Sequence, residues 1–240
     1  MTPEQKRRLR FDSRAVYYPP DQTTRALTAP IVMGSAFQYD AEIYQRVVDG
    51  ERKAVNIYGR CGNPSEYQFE EQMMAIEGAD ACLATASGMA AVTLALQLVQ
   101  PGELIVATHD CYGGTHRPLT HPARRGHFDV AFTDLTDPDA VAAALARRPR
   151  LVWIETPSNP LLRITDIRAV ADAAHAAGAL VVADNTFLSP ALQQPIALGA
   201  DLVVHSTTKY LNGHSDIVGG ALVAATPALA DELAWWANCL

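Results

Sequence analysis

Hydrophobic and polar positions follow two alternating patterns along most of the chain. In some segments apolar residues recur every three or four positions, as Ile167, Val170, Ala171 and Ala174 do, which is typical of an amphipathic helix. Short apolar runs of strand length lie at residues 104–108, 130–133, 151–155, 179–183, 202–204 and 218–223. Because strands that alternate with helices require crossover connections, the pattern predicts an α/β fold with a mostly parallel sheet and helices on both faces.

Capping residues and prolines indicate where the predicted helices begin and end. Helices are predicted at residues 66–77, 88–99, 137 onward, 167–177, 191–198 and 227 onward. Gly78 and Gly178 follow two of these patterns, at the position where glycine is favoured because it adopts the left-handed conformation. Asp137 can cap the next helix, and Pro138 suits its first turn.

The N-terminal quarter of the chain has a different character. Residues 1–60 lack a sustained pattern of either kind and contain Pro19, Pro20 and Pro30. We therefore predict an extended arm over residues 1–60 and one large domain over residues 61–240. A total of 240 residues fits one large domain better than two independent ones.

The composition argues against two classes of partner. Lys and Arg number 19 and Asp and Glu number 26, so the net charge is −7 and no nucleic-acid partner is predicted. The basic residues Lys6, Arg7, Arg8 and Arg10 are interpreted as part of a solvated arm. No apolar run is long enough to span a bilayer, and none follows the basic residues as in a secretion signal. Neither a membrane partner nor secretion is therefore predicted.

The cysteines and histidines indicate neither disulfides nor a metal site. The four cysteines, at positions 61, 82, 111 and 239, include no close pair, which favours a reduced, cytoplasmic protein. His109, Cys111, His116 and His121 lie close together in sequence, but their spacings match no ligand pattern and two glycines interrupt the segment. No bound metal is therefore predicted.

Polar residues cluster where three of the predicted strands end. These clusters lie at residues 155–160, 184–186 and 205–209. In open α/β sheets, ligands bind beyond the carboxyl ends of the strands. We therefore expect the three clusters to form one site at this edge of the sheet.

Lys209 and Asp184 are the candidates for the central chemistry. Lys209 follows three hydroxyl residues, which can bind phosphate, and a lysine there can form a Schiff base. Taken alone, however, the residue is better interpreted as a surface lysine that follows a strand. Asp184 ends a predicted strand, where it can form a turn or keep an aromatic ring nitrogen protonated. A lysine and an acid in these roles are what proteins contribute to the chemistry of pyridoxal 5′-phosphate (PLP). Their separation of 25 positions allows one helix and one strand between them.

Two further segments can contribute to such a site. Ser87, Gly88 and Met89 begin a predicted helix, whose free N–H groups and dipole favour an anion, although small residues are common at helix starts. Tyr112 is flanked by glycines and can stack on a planar ring, or it can be an ordinary loop tyrosine.

Several motifs together resemble the Cys/Met-metabolism family of PLP-dependent enzymes. They occur in the order expected of that family from about Tyr58 to the C-terminal residue. The similar segments are residues 58–64 (YGRCGNP), 87–89 (SGM), 112–114 (YGG), 155–160 (ETPSNP), 184–190 (DNTFLSP) and 205–216 (HSTTKYLNGHSD). The resemblance implies the large domain of the aspartate-aminotransferase-like fold, known as fold type I.

The resemblance also implies a role for each matching residue. Lys209 would bind PLP covalently and move protons, Asp184 would pair with the ring nitrogen, and Tyr112 would stack on the ring as a third catalytic residue. Asn159 would approach the phenolic oxygen of PLP and contribute to substrate binding with Tyr112 and Arg117. The other cofactor-binding residues implied in the same chain are Ser87, Gly88, Met89, Thr186, Ser206 and Thr208.

The family resemblance implies an oligomer with shared active sites. Tyr58 and Arg60 would reach the phosphate in a neighbouring subunit, in a homo-oligomer built as a dimer of dimers. The arm predicted over residues 1–60 suits such an arrangement. Arg117 matches a position that holds the distal carboxylate of long substrates, although it is as easily an exposed arginine at the start of a helix.

The expected activity is transsulfuration of sulfur-containing amino acids. The leading hypothesis is γ-replacement, in which cysteine is joined to an O-acylated homoserine, and small amino acids are the expected substrates. The alternatives are a lyase on the same scaffold and a catalytically silent PLP-fold module. Gly114 stands where some lyases of the family carry a cysteine, whereas Cys61 stands where the γ-replacement branch tends to carry an arginine. The family's smaller C-terminal domain, with its arginine for the substrate α-carboxylate, is not recognised, so we expect the large domain to be truncated.

Overall fold

The computed structural model describes residues 5–6, 8–17, 19, 25–49 and 56–239. Within this part of the chain seven strands form one sheet. They are β1 (Ala81–Thr85), β2 (Leu104–Thr108), β3 (Asp129–Thr133), β4 (Leu151–Glu155), β5 (Leu180–Asp184), β6 (Leu202–Ser206) and β7 (Gly220–Ala224).

Helices connect most of these strands, and several begin at the predicted capping residues. The α-helices of the described residues are α1 (Phe11–Val16), α2 (Ala41–Val48), α3 (Pro64–Glu77), α4 (Gly88–Ala95), α5 (Gly113–Arg124), α6 (Pro138–Leu145), α7 (Ile167–Ala176), α8 (Ser189–Leu192) and α9 (Pro227–Cys239). Asp137 caps α6 by accepting a hydrogen bond from Asp139 N, and Gly78 ends α3 in the left-handed conformation. None of the helices in the described ranges is long and apolar enough to cross a membrane.

The strand order in the sheet is β1-β7-β6-β5-β4-β2-β3. Strands β2 to β6 run parallel, whereas β7 is antiparallel to both of its neighbours. The predicted mostly parallel sheet is therefore confirmed. The parallel strands place their carboxyl ends along one edge, where the three polar clusters lie.

An apolar core lies on each face of the sheet, as predicted. On one face α3, α6 and α7 cover Val181, Ala183 and Val203. On the other face α4, α5 and α9 cover Val182 and Val204. Successive residues of a strand point to opposite faces, so neighbours in sequence contribute to different cores.

The predicted helix over residues 191–198 is wrong as a single element. Helix α8 ends at Leu192, and a separate 3₁₀ turn spans Pro195–Leu198. Proline lacks the N–H group that would continue a helix, and it disfavours the helical conformation of the residue before it. Gln194 accordingly has φ −121° and ψ 88°.

The pattern of apolar residues missed several elements. Strand β1 and helix α5 were not predicted. In α5 the helical pattern is obscured by two glycines at its start and by Pro118 and Pro122 within it. Helices α1 and α2 lie in the predicted arm, and α1 contacts α3 through a hydrogen bond of 3.0 Å from Arg14 Nη1 to Ala75 O. The extended arm is therefore not supported over these two helices, while Pro20 and parts of the arm lie outside the described residues.

Candidate active site

A cavity of about 900 Å³ opens at the carboxyl ends of β4, β5 and β6, beside the N-terminal ends of α4 and α5. We call this cavity the strand-end pocket. Ten of the predicted site residues line it: Ser87, Gly88, Met89, Tyr112, Asn159, Asp184, Thr186, Ser206, Thr208 and Lys209. The structure therefore brings together residues that are up to 122 positions apart, from Ser87 to Lys209.

The first turn of α4 is held close to the end of β6. Ser87 caps this helix by accepting a hydrogen bond of 3.1 Å from Ala90 N. A Cβ atom on Gly88 would lie 2.5 Å from Cβ of Ser206 and 2.7 Å from its Cα, so only glycine allows this approach. The helix start and Ser206 thus form a close-fitting cradle with free N–H groups, suited to an anion such as a phosphate.

Asp184 presents a carboxylate to the pocket floor from the end of β5. Its Oδ1 accepts a hydrogen bond of 3.0 Å from Thr186 N, and Thr186 Oγ1 accepts one of 2.8 Å from Ser206 N. Burial raises the pKa of Asp184, while the hydrogen bonds of Thr186 and the proximity of His205 lower it. A partly buried carboxylate of this kind favours a nearby cation, such as a protonated aromatic nitrogen.

Lys209 lies in the turn that follows β6. The turn is closed by hydrogen bonds from Lys209 N to Ser206 O at 3.2 Å and from Gly213 N to Lys209 O at 2.8 Å. The Lys209 side chain is exposed on the pocket wall, and its ammonium group has no hydrogen-bond or ion-pair partner among the described residues. Its amine is therefore available to a bound molecule.

Thr208, which was expected to contact phosphate, is already bonded to the backbone. Its Oγ1 lies 3.3 Å from Gly219 O and accepts a hydrogen bond of 3.0 Å from Gly219 N. These bonds fix the segment before β7 against the lysine turn. Thr208 still lines the pocket, so its proposed contact with phosphate remains a prediction.

Glu155 is a pocket residue for which no role was predicted from its sequence position. Its two carboxylate oxygens accept hydrogen bonds from Tyr112 N at 2.7 Å and from Asn159 N at 3.0 Å. Burial and the neighbouring charge of Asp184 raise the pKa of Glu155 to about 8. Glu155 therefore holds the loops that carry Tyr112 and Asn159. Its position at the end of a predicted buried strand is the feature of the sequence that could have indicated this role.

Cys111 lies next to Tyr112 but is not suited to act as a nucleophile. Its side chain is buried, and burial together with the charge of Glu155 raises the pKa of the thiol to about 12. A thiol is nucleophilic only as the thiolate, which is scarce under these conditions.

Three predicted residues do not line the pocket of their own chain. Tyr58 is half exposed, and Arg117 is exposed on α5. Arg60 Nη1 donates hydrogen bonds to O and Oδ1 of Asn238, at 2.8 and 2.6 Å, near the end of α9. Their roles in a partner's site or in distal substrate binding remain predictions.

The residues of the strand-end pocket fit a phosphorylated pyridine such as PLP. The cradle at Gly88 fits a phosphate, Asp184 provides the negative charge that a protonated ring nitrogen requires, and Lys209 provides an accessible amine. Thr115 Oγ1 is also buried beside the pocket without a hydrogen-bond partner among the described residues. No other type of cofactor is required to explain this set of groups.

Comparison with known proteins identifies the family. The sequence profile of the Cys/Met metabolism PLP-dependent enzymes matches residues 15–240. The chain therefore belongs to this family, and the resemblance inferred from its motifs is confirmed.

Individual relatives include both synthases and lyases. The cystathionine gamma-synthase of Escherichia coli (strain K12) is 45% identical over 219 residues, which cover 91% of this chain and 55% of the relative. The cystathionine gamma-lyase of Dictyostelium discoideum is 41% identical over 220 residues, which cover 92% of this chain and 55% of the relative. The chain therefore spans little more than half of the length of these relatives.

Solved structures confirm the predicted fold class. A cystathionine gamma synthase from Xanthomonas oryzae pv. oryzae, in complex with cystathionine, matches with a TM-score of 0.89 and 48% identity. The match covers 96% of this chain and 58% of that chain. The sheet and helices described above are thus those of a PLP-dependent enzyme domain.

Proposed function

We propose that this chain is the PLP-binding part of a transsulfuration enzyme that acts on sulfur-containing amino acids. The observation that carries the proposal is the placement of Lys209 and Asp184 at the ends of neighbouring strands, facing one pocket beside the start of α4. When bound, PLP supplies an electron sink for carbanion chemistry.

Each pocket residue has a distinct proposed role. Lys209 would hold the cofactor through Nζ, and the same amine would carry protons when it is not bonded to the cofactor. Asp184 keeps the ring nitrogen protonated, and the start of α4 together with Ser206 binds the phosphate. Tyr112 stacks on the ring, while Glu155 orients the loop that carries it.

The reaction we propose is γ-replacement of the acyl group of an O-acylhomoserine by cysteine. Support comes from the 45% identity to a cystathionine gamma-synthase and from the match to a synthase structure. Gly114 adds to this support, because it stands where some lyases of the family carry a cysteine. A Cβ atom on Gly114 would lie 2.1 Å from Cε1 of Tyr112, so a larger residue there would displace the tyrosine ring. The lyase alternative is retained because a gamma-lyase is 41% identical.

Oligomeric state and compartment belong to the same proposal. We propose a cytoplasmic homo-oligomer, a dimer of dimers, in which Tyr58 and Arg60 complete the pocket of a neighbouring subunit. The position of both residues outside their own pocket supports this arrangement. All four cysteines, which lie within the described residues, are free, as suits a reducing compartment.

The cofactor site is tested by chemical labelling. The purified chain incubated with PLP should absorb visible light. Borohydride, which reduces the imine to a stable amine, should remove this absorption and leave a phosphopyridoxyl group on the peptide that contains Lys209. Lys209→Ala should abolish the label, since the amine is removed. Labelling of a different lysine in the wild-type chain would rule out the assigned site.

The reaction type is tested with protein expressed from the complete reading frame. A γ-replacement enzyme given O-acylhomoserine and cysteine should form cystathionine faster than it releases 2-oxobutyrate. A lyase would instead cleave cystathionine and gain little from added thiol. Faster cleavage than synthesis would therefore favour the lyase alternative.

A further inference from the structure

A buried polar network lies on the face of the sheet opposite the strand-end pocket. Glu77 on α3 and His205 on β6 have fully buried side chains, and Glu77 Oε1 lies 2.5 Å from His205 Nε2. The same oxygen accepts a hydrogen bond of 3.2 Å from Asn185 Nδ2. Gln193 Nε2 in turn donates to Asn185 Oδ1 at 3.0 Å and to Thr156 O at 3.2 Å. We call these residues the Glu77 network.

The stability of the core does not account for this network. Buried carboxylates and imidazoles are costly to desolvate, and apolar replacements of buried ion pairs are often neutral or stabilising. Apolar residues such as Ile76, Ala183 and Val203 surround the network. Within the described residues, Glu77 Oε2 and His205 Nδ1 lack hydrogen-bond partners, so desolvation is only partly offset. A role outside core stability is therefore indicated.

Two members of the network, Asn185 and His205, are direct chain neighbours of pocket residues. Asn185 follows Asp184, and His205 precedes Ser206. Because side chains alternate along a strand, Asp184 and Ser206 face the pocket while Asn185 and His205 face α3. A single oxygen of Glu77 thus contacts both strand ends, β5 through Asn185 and β6 through His205.

We propose that Glu77 is a positioning residue for the cofactor pocket. Through Asn185 and His205 it fixes the carboxyl ends of β5 and β6, and so sets where Asp184 lies relative to Ser206 and Lys209. This role rests on the proposed function and extends it to residues that touch neither cofactor nor substrate.

The charges around Asp184 support this role. Burial raises the pKa of Asp184, and hydrogen bonds of Thr186 and the proximity of His205 lower it. The other ionisable residues that line the pocket with Asp184 are Tyr112, Glu155, Lys209, Tyr210 and Asp216. A change at Glu77 alters the surroundings of His205, and the effect reaches Asp184 through the sheet.

The chain contains a similar but partly exposed carboxylate–imidazole pair at the other end of the same two strands, which serves as a control. Asp201 Oδ2 accepts a hydrogen bond of 2.7 Å from Val181 N and lies 2.9 Å from His175 Nε2. It is therefore also a carboxylate that contacts an imidazole and joins β5 to the start of β6. Its position at the amino ends of the strands is remote from the pocket, so Asp201→Asn reports a purely structural contribution.

The test compares Glu77→Gln, Glu77→Met and Asp201→Asn with the wild-type chain. We measure thermal unfolding without cofactor, the dissociation constant for PLP, and the pH titration of the visible absorption of bound PLP. Glu77→Met should raise the dissociation constant about tenfold or more, on the scale of losing a supporting contact behind a binding site, and should shift the titration. Glu77→Gln retains an acceptor oxygen and should show a smaller effect. Asp201→Asn should leave both cofactor measurements unchanged.

A structural role alone would produce a different result. Glu77→Met would then unfold at a lower temperature but bind PLP with the wild-type affinity and titration, which would overturn the proposal. If the wild-type chain binds no PLP, the proposed function fails and the positioning role fails with it. Normal wild-type binding with unaffected variants would refute the positioning role alone.

A measurement on the wild-type chain keeps the test decisive if the variants do not fold. In protein labelled with ¹⁵N-histidine, addition of PLP should shift the imidazole resonances of His205, because its strand end is coupled to the pocket. Those of His175, at the remote end of the same strands, should stay in place. Unchanged His205 resonances in PLP-loaded protein would overturn the proposal.

Discussion

Asp184 and Glu155 show how two identical functional groups acquire different properties in one pocket. They are paired in register on β5 and β4, so their carboxylates repel each other. Glu155 is held by two backbone N–H groups, whereas Asp184 has one carboxylate oxygen bonded to Thr186. Asp184 is therefore the acid that gains more from a protonated ring nitrogen, which would also reduce the repulsion on Glu155.

The role of Asp184 is tested by removing its charge while keeping its shape. Asp184→Asn should leave much of the phosphate-driven binding of PLP intact, because the cradle at Gly88 is unchanged. Turnover by protein from the complete reading frame should fall at least about a hundredfold, the scale for losing a positioned charge in a site shielded from water. Near-normal turnover in the variant would exclude the pairing with the ring nitrogen.

Glu155 predicts a pH dependence of stability in the cofactor-free chain. Its pKa of about 8 lies above that of an exposed glutamate, so the folded chain binds this proton more tightly than the unfolded chain does. The free energy of unfolding should therefore fall as the pH rises from about 5 to about 8, by about 1.4 kcal/mol for each unit of pKa difference. Glu155→Gln has no proton to lose, so its Tm should decrease less over this range. Parallel Tm curves for the two proteins would contradict the assigned protonation.

At the scale of elements, the sequence predicted helices well where a long helical segment is followed by a capping residue. Helices α3 and α7 match their predicted helices closely, because a glycine follows each of them and, in α7, the apolar periodicity agrees with that boundary. Helix α5 was not predicted because glycine and proline disfavour helices and it contains two of each. This helix is nevertheless important for the site, because Tyr112 lies at its N-terminal end. Its stability comes from packing against the sheet, where Leu119 is fully buried, and no single-sequence pattern reports such packing.

Helix α4 gives a prediction about phosphate binding. Gly88→Ala adds a Cβ atom only 2.5 Å from Ser206, so the helix start must move away from β6. The affinity for PLP should fall about tenfold or more, in line with losing a positioned group of hydrogen-bond donors, while pyridoxal, which lacks the phosphate, should be affected less. Gly113→Ala is the control, because a Cβ atom there meets nothing within 4 Å. Equal losses for PLP and pyridoxal would show that the helix start does not bind phosphate.

At the scale of the whole molecule, the sequence located the site better than it located the sheet. The clusters at residues 184–186 and 205–209 follow predicted parallel strands, so their convergence follows from the pattern of polar and apolar residues alone. The pattern does not predict that β7 is antiparallel or that it lies between β1 and β6, because strand order depends on contacts between distant residues. The role of Glu77 was equally hidden, since it lies 128 positions from His205.

The proposed sharing of active sites between subunits is the last prediction. Arg60 lies outside the pocket of its own chain, whereas Lys209 and Asp184 share one pocket. Arg60→Ala and Lys209→Ala subunits, expressed from the complete reading frame, should each be nearly inactive alone. Mixing them should restore activity, because a hybrid dimer contains one site with both residues intact.

A matched mixture separates this effect from nonspecific stabilisation. Asp184→Asn and Lys209→Ala alter the same pocket of the same chain, so every site of their hybrid carries one defect and mixing should restore nothing. Subunit exchange is verified in both mixtures by mass spectrometry of differently labelled chains. If exchange is complete and the Arg60→Ala mixture is as inactive as the Asp184→Asn mixture, Arg60 does not serve a neighbouring pocket. Activity in the Arg60→Ala mixture but not in the Asp184→Asn mixture would show that Arg60 acts in the pocket of a neighbouring subunit. The contacts of Arg60 within its own chain do not explain such a result.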